Sequence, residues 1–413
     1  MTIQLSAITF TDEDDIVPAS GVERIVNSGI ANTLAGNDII TGTITASDTG
    51  SDRSGILNSG TINTGVGDDI ITGVCDENTI IPSGGIRNEG GTINTDDGND
   101  IIIGIGQAGD GILTFLGTIN TGDGNDKITG TAIDITGTAI DLGINVNYQG
   151  IIDTGNGSDT ITGSGDYGIQ NYSTINTGDD NDKIIGNGTF LRGYGIVNVG
   201  TVDTGAGEDE IIGTNANGLG IYNYSGNTID TGDGKDKIAG TGGSIGIYND
   251  GIINTGDDDD IITSTGDIYN QGFINAGNGN DSIIVDRGVN DNGTRYGIYN
   301  NRGVINMGDG NDSIIANEGF ESDPDSSGVW FLGEGDDYIK GYVSGDFYGG
   351  NGNDTLELTP GTYTVGIWGE AGESPIFTKG NQLMITSEFE KLKAGSTIYD
   401  FSSLTAGQII VVA

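Results

Sequence analysis

The chain reads as an all-β protein, a parallel β-solenoid (β-roll or β-helix-like) of about 12 stacked coils with N- and C-terminal caps. Three observations point there. Glycine supplies 77 of the 413 residues, where an average chain holds about 7%. A glycine-aspartate phrase recurs at a nearly constant interval. Isoleucines keep a fixed place beside that phrase. Each interior glycine costs a helix roughly 1 kcal/mol relative to alanine, so the composition suits many tight turns. A flexible acidic linker would not hold its isoleucines in register.

The phrase is "TGDGNDKITG" at Thr121–Gly130, with near copies "TGVGDDIITG" at Thr64–Gly73 and "TGDGKDKIAG" at Thr231–Gly240. Its last aspartate falls at Asp38, Asp69, Asp100, Asp126, Asp159, Asp182, Asp209, Asp236, Asp260, Asp281, Asp312, Asp337 and Asp354. The first and last are 316 residues apart over twelve intervals, a mean of about 26, which is the period of a solenoid. An apolar residue follows each aspartate by two positions, from Ile40 to Ile339 and then Leu356. A second phrase, Gly-Ile-x-Asn, precedes most copies, starting at Gly55, Gly85, Gly168, Gly195, Gly220, Gly246 and Gly297, and "TINTG" or a near copy stands between the two.

Each unit therefore reads as three short strands separated by turns, with β-branched residues facing inward. No unit buries its isoleucines alone. Stacking at about 4.8 Å buries them in a continuous column, and twelve coils would make a rod on the order of 60 Å long. Length varies in one place, between the strand after the aspartate and the next Gly-Ile-x-Asn, as in "TGVCDENTIIPSG" against "STGD". That places loops at one corner of the rod.

The charge is extreme: 15 basic against 60 acidic residues, a net −45, with no histidine. This excludes nucleic acid as a partner and argues against anionic membranes. The lack of histidine removes Ser-His and Cys-His chemistry and every His-based metal site. Cys75 is the one cysteine, so it forms no internal disulfide and reads as a small hydrophobe. There is no apolar run long enough for a transmembrane helix, and the first twenty residues lack the basic and apolar regions of a cleaved signal peptide.

Stacked turns would set one aspartate above another. Two unit charges about 4.8 Å apart repel by roughly 1 kcal/mol in water and about 3.5 kcal/mol at an effective dielectric of 20. Lysine is too rare to neutralise the row. Ca²⁺, which takes six to eight carboxylate and carbonyl oxygens, suits it, and Mg²⁺, which wants a rigid octahedron, suits it less. The cofactor expected is thus Ca²⁺, several ions in one row along the turns.

"GGNGNDTLEL" at Gly349–Leu358 resembles the Gly-Gly-x-Gly-x-Asp-x-(apolar)-x nonapeptide of the RTX, or hemolysin-type, calcium-binding secreted proteins. Looser copies run through Asn32–Leu358. The resemblance implies a parallel β-roll with Ca²⁺ between consecutive turns. The implied ligands are the thirteen aspartates and the carbonyls of Gly65, Gly67, Gly122, Gly124, Gly155, Gly157, Gly232, Gly234, Gly277, Gly279, Gly308, Gly310, Gly350 and Gly352. It also implies type I secretion through an uncleaved C-terminal signal, for which "FSSLTAGQIIVVA" is the candidate. This chain departs from the pattern in having one nonapeptide per coil of about 26 residues, so one calcium row and a larger cross-section are expected. Asp96, Asp180 and Asp258 replace a turn glycine, and Lys235 and Ala206 mark further altered sites.

The expected organisation is a cap over 1–24, repeats over 25–358, and a β-rich cap with the export signal over 359–413. The asparagines of Gly-Ile-x-Asn (Asn58, Asn88, Asn171, Asn198, Asn223, Asn249, Asn300) are read as a stacked hydrogen-bonded ladder ahead of a sugar site. Tyr222, Tyr248, Tyr269 and Tyr299 form a local outward stripe, read as ladder packing ahead of a stacking surface for sugar or protein. The function expected is a secreted calcium-binding structural or adhesive protein of a bacterial surface or extracellular matrix, not an enzyme. Its partners would be calcium, other copies of itself or surface polysaccharide. The alternatives are a polysaccharide lyase, epimerase or hydrolase on a β-helix and, behind it, an ice-binding adhesin.

Overall fold

The structure is a computed structural model that describes residues 2–18, 23–45, 53–75, 84–133, 140–286, 297–316, 320–321, 328–369 and 374–413. It is a parallel β-solenoid, as the repeat implies. The expected corner loops fall largely within 46–52, 76–83, 134–139, 287–296, 317–319 and 322–327, outside the described residues. The chain divides into two compact units, Met1–Tyr222 with Asn227–Ile229, and Asn223–Gly226 with Asp230–Ala413.

In the first unit each coil lays one strand on each of three parallel sheets. One coil runs Ile112–Phe115, Thr118–Asn120 and Lys127–Ile133. The first sheet carries Gly-Ile-x-Asn, the second Thr-Ile-Asn, and the third the strand after the aspartate. Equivalent residues pair coil to coil: Ile62 with Ile93, Ile93 with Ile119, and Ile119 with Ile152 on the second sheet. On the third sheet Ile71 pairs with Ile102, Ile102 with Ile128, and Ile128 with Ile161. These isoleucines are fully buried. A one-residue slip would turn the whole column outward, so burial fixes the register.

A second glycine pattern sets the shape of this unit. Gly130 on the third sheet faces Gly143 on the first, and a Cβ on Gly130 would overlap the Gly143 carbonyl and sit 2.6 Å from Ile144 Cγ1. Gly42 with Gly55, Gly73 with Gly85, and Gly163 with Gly168 repeat the contact. The first and third sheets are therefore pressed together along a line of paired glycines, which a side chain would hold apart. Residues Thr2–Gln4 and Ile16–Val17 add to the first and third sheets by pairing with Arg24–Val26 and Ile39–Ile40, and Leu5 is fully buried.

The second unit repeats this plan through strands such as Ile245–Asn249, Ile252–Asn254 and Ile261–Ser264. Among the described residues eleven coils carry a full strand on each of the three sheets and a twelfth carries a short first one, close to the expected 12. Toward the C-terminal end, among the described residues, the first-sheet strand shortens to Phe320–Glu321 before Val329–Glu334 and is missing between Tyr338–Lys340 and Gly345–Asn351. The interval from Asp337 to Asp354 shrinks to 17 residues. In place of isoleucine, Trp330 and Phe347 stack in the interior with ring centroids 5.1 Å apart.

Beyond Leu358 the pattern becomes antiparallel. Gly361–Trp368 pairs with Ser374–Lys379 and with Ile409–Val412. Gln382–Ser387 and Lys391–Ala394 join the second and third sheets in parallel to Gly345–Asn351 and Thr355–Leu358. Among the described residues no helix is long and apolar enough to cross a membrane.

Candidate metal centre

The turn Thr-Gly-x-Gly-x-Asp links the second sheet to the third. Gly122 and Gly124 have φ of 87° and 156°, a region that favours glycine. A Cβ on either would overlap a backbone oxygen one coil back, Asp96 O or Gly98 O. Turn carbonyls therefore point along the stack at the next coil's α-carbon, and the same holds for Gly155 and Gly157. In the second unit Gly277, Gly279, Gly308, Gly310, Gly350 and Gly352 repeat it, with Gly232 O set against Gly256. Gly65, Gly67, Gly232 and Gly234 also have positive φ. Asp96, Asp180 and Asp258 keep this geometry without glycine, at φ of 56°, 83° and 82°, as aspartate does more readily than most residues.

The aspartates form a ladder in each unit. In the first, the Asp38 amide donates to Asp69 Oδ1, Asp69 to Asp100 and Asp100 to Asp126, each at 2.7 Å. Asp126 to Asp159, Asp159 to Asp182 and Asp182 to Asp209 continue it at 2.7–2.8 Å. In the second unit the ladder runs Asp236, Asp260, Asp281, Asp312, Asp337, Asp354 at 2.7–2.9 Å. One oxygen of each carboxylate thus crosslinks neighbouring coils.

The other oxygen is the informative one. All thirteen aspartates are buried. In Asp38, Asp69, Asp100, Asp126, Asp159, Asp182, Asp260, Asp281, Asp312, Asp337 and Asp354, Oδ2 is enclosed and accepts no hydrogen bond. At several turns the opening threonine lies beside the carboxylate and sends its hydroxyl proton to the next coil's carbonyl. Thr95 donates to Thr121 O at 3.2 Å and Thr154 to Thr177 O at 3.3 Å.

Burial drives these carboxyls upward, opposed by the neighbouring threonine hydroxyl where the turn has one and by the ladder hydrogen bond, and at several positions reinforced by charges on adjacent coils. Asp69, Asp126, Asp209, Asp281 and Asp337 are pushed up to about 6. Asp100, Asp159, Asp312 and Asp354 reach about 7, and Asp182 and Asp260 about 8. A neutral-pH row of this kind needs either protons or cations.

Among the described residues no three carboxylate, cysteine or histidine side chains converge on one point. A cation in the row would be held by one or two aspartate Oδ2 atoms with backbone carbonyls making up the shell. That donor set is all oxygen, which suits a hard ion and not zinc.

No family model matches the chain, and no curated protein matches it. Among solved structures it is similar to one described as a hyperactive, Ca²⁺-dependent, beta-helical antifreeze protein from an Antarctic bacterium. The likeness spans 96% of each chain at 16% identity and a TM-score of 0.44.

Two members of the ladder carry no motif in the sequence. The Asp15 amide opens it by donating to Asp38 Oδ1 at 2.7 Å, and Glu390 closes it by accepting from the Asp354 amide at 2.8 Å. Asp15 has an acidic neighbourhood and no turn glycine; Glu390 lies just before the strand Lys391–Ala394, beyond the last copy of the phrase. The paired glycines of the first and third sheets were visible as the "ITG" that ends the phrase.

The asparagine phrase forms a ladder at the second corner. Asn58 Nδ2 donates to Asn88 Oδ1 and Asn171 to Asn198 in the first unit, each at 2.9 Å. In the second, Asn223 donates to Asn249, Asn249 to Asn270 and Asn270 to Asn300, also at 2.9 Å. These asparagines are fully buried, which closes them to a surface ligand. Tyr248, Tyr269 and Tyr299 stack ring on ring at 4.5 and 4.7 Å, while Tyr222 tilts against Tyr194 at 5.7 Å. Stacked faces cover one another and leave mainly edges for solvent. Cys75 is buried.

Proposed function

We propose that the chain is a calcium-binding extracellular protein of structural or adhesive type, whose turns bind Ca²⁺ in a row and whose folding depends on it. The observation that carries this reading is the set of eleven buried Oδ2 atoms in register without a hydrogen bond, in turns whose carbonyls point along the stack. Leaving a buried acceptor unmet costs about 1–3 kcal/mol, more if charged. A chain that repeats that cost at nearly every coil has a use for it. Bound calcium supplies positive charge between stacked carboxylates. Asp38 to Asp209 would hold it in the first unit and Asp236 to Asp354 in the second, with the turn glycine carbonyls. The RTX resemblance supports the same ion and export by a type I route.

In a calcium-poor compartment the row would be charged and self-repelling, so the chain would stay open for export; outside, calcium would close it. The repeats occupy most of the 413 residues, which favours a structural role over an enzyme. The test is a calcium titration of chelated protein at pH 7.5, followed by far-ultraviolet circular dichroism and calorimetry, with magnesium alongside. A cooperative gain of β-structure in calcium and not magnesium, with several ions bound per chain, is expected. A chelated protein already fully folded at that pH and indifferent to calcium would overturn the proposal.

A second reading, ice binding, has one observation in its favour. On the second sheet of the first unit, Thr61, Thr92 and Thr118 pair in register and so do Asn63, Asn94 and Asn120, while the isoleucine between them points inward. Regular hydroxyl and amide rows about 4.8 Å apart offer a repeating pattern to ordered water. Thermal hysteresis in calcium buffer, lost when Thr92 and Thr118 become lysine, would support it, and no hysteresis would remove it.

A further inference from the structure

The residue five positions before each ladder aspartate is threonine from Thr33 to Thr255, then Ala276, Met307 and Leu332. All of these side chains are buried. At the last copy the position is Gly349, and two oxygens stand where the side chain would be. A Cβ on Gly349 would lie 1.9 Å from Glu388 O and 2.7 Å from Asp354 Oδ2. The two oxygens are therefore no farther apart than those distances combined.

Close backbone approach accounts for the glycine, but not for what the approach brings together. Asp354 is fully buried. Its Oδ1 accepts the Asp337 amide at 2.9 Å, while Oδ2 accepts no hydrogen bond. Glu388 is held at φ of 61°, a region L side chains rarely adopt, and it turns a second acceptor toward the same gap. Glu390 brings a third: its Oε2 takes the Asp354 amide at 2.8 Å. The Glu390 and Lys391 amides both donate to Asp354 O, at 3.2 and 2.9 Å, and so seat this segment over the final turn. Gathered acceptors repel one another without positive charge between them. The lysines of this end are engaged elsewhere. Lys393 and Lys340 pair with Glu357 at 2.5 and 3.8 Å, and Lys391 pairs with Asp400. A cleft of about 410 Å³, lined in part by Asp309, Glu334, Asn351 and Glu388, reaches Gly350 from the surface. Carboxylates along a cleft raise the local concentration of cations.

We propose that a calcium ion binds between the last turn and the C-terminal cap, held by Asp354 Oδ2, Glu388 O and the Glu390 carboxylate, with water completing its shell. Two carboxylates and a carbonyl are a hard, all-oxygen set of the kind Ca²⁺ takes. The inference rests on the calcium reading of the row and adds a site that the repeat does not encode, since Glu388 and Glu390 lie beyond the last copy of the phrase. The ion would tie Gln382–Ser387 and Lys391–Ala394 to the coil they extend, Gly345–Asn351 and Thr355–Leu358. Closure of the cap would then depend on calcium, as the coils do.

The test uses the full chain at pH 7.5. Calcium bound per chain is counted by equilibrium dialysis, and amide exchange over 382–394 is followed by mass spectrometry across a calcium titration. Glu390→Gln keeps an acceptor for the Asp354 amide and removes the charge. It should bind one ion fewer than the parent, and protection of 382–394 should need at least tenfold more calcium. A parent that binds no calcium would overturn this proposal together with the row. A parent that binds calcium, beside a variant with the same ion count, would overturn this proposal alone. Cap protection lost at an unchanged count would do the same, leaving Glu390 as a hydrogen-bond acceptor only. If Glu390→Gln fails to fold, Glu390→Asp, which keeps the charge and shortens the arm, replaces it. It should raise the calcium needed for cap protection at least fivefold, and an unchanged requirement would overturn the proposal.

Discussion

Replacing Asp126 by asparagine separates the two jobs of a ladder carboxylate. Oδ1 accepts the Asp100 amide at 2.7 Å, and asparagine keeps that acceptor. Oδ2 is buried without a hydrogen bond, and asparagine puts a neutral amide there. Burial raises the Asp126 carboxyl from 3.8 to about 6. Two units correspond to about 3 kcal/mol that ionisation costs the folded state at high pH. The turn lies near solvent, so about 1.5–3 kcal/mol is a fair range after screening. Because the folded value lies above the unfolded one, the protonated group's stability is fully present below pH 3.8 and lost as pH rises through about 6. Chelated Asp126→Asn should therefore exceed the parent in stability by about 1.5–3 kcal/mol at pH 8, and most of the gap should close by pH 4. In calcium at pH 8 the sign should reverse, because the variant lacks an anionic ligand. Urea unfolding by circular dichroism reads all three conditions; where the chelated parent is already open at pH 8, the gain appears as a larger folded fraction. A variant no more stable than the parent at pH 8 under chelation would refute the claim that Oδ2 carries an unmet charge.

The whole row should behave likewise. With Asp100 raised to about 7 and Asp182 and Asp260 to about 8, chelated protein should lose stability steadily from pH 4 to 8. Calcium-loaded protein should hold or gain over the same range, and parallel thermal scans would show whether the two slopes diverge. Gly130→Ala places a Cβ 2.6 Å from Ile144 Cγ1 and into the Gly143 carbonyl, so a loss of about 1–3 kcal/mol or more in calcium is expected; a loss under about 0.5 kcal/mol would mean that the sheets part freely. Asn171→Ala removes bonds to Asn198 Oδ1 at 2.9 Å and Thr201 O at 2.8 Å and takes the Oδ1 acceptor at 3.0 Å from the Ser173 amide, for about 2–4 kcal/mol. Gln170→Ala beside it, half-exposed, should cost within about 0.5 kcal/mol in the same urea series.

Much of this architecture was legible because a solenoid is written coil by coil. The isoleucine two residues after each aspartate, the Gly-Ile-x-Asn phrase and the interval near 26 each report a local periodicity. Stacking then converts periodicity into registered ladders such as Ile71, Ile102, Ile128. Where the three-strand plan ends was less legible. The aspartate phrase persists at Asp337 and Asp354 while the first-sheet strand is lost, and aromatic packing of Trp330 on Phe347 takes over. Asp15 and Glu390 were not legible, because their roles come from lying above or below a turn rather than from any motif.

The sequence by itself determined the stacking axis, the inward isoleucines and the row of aspartates, because each is repeated at nearly every coil and none needs a distant partner. Only the tertiary structure decided how each carboxylate divides its oxygens, one bonded across the coils and one left bare. It also decided that paired glycines press the first sheet on the third. Those features join residues of different coils or different faces, and their spacing along the chain follows loop length instead of a repeat.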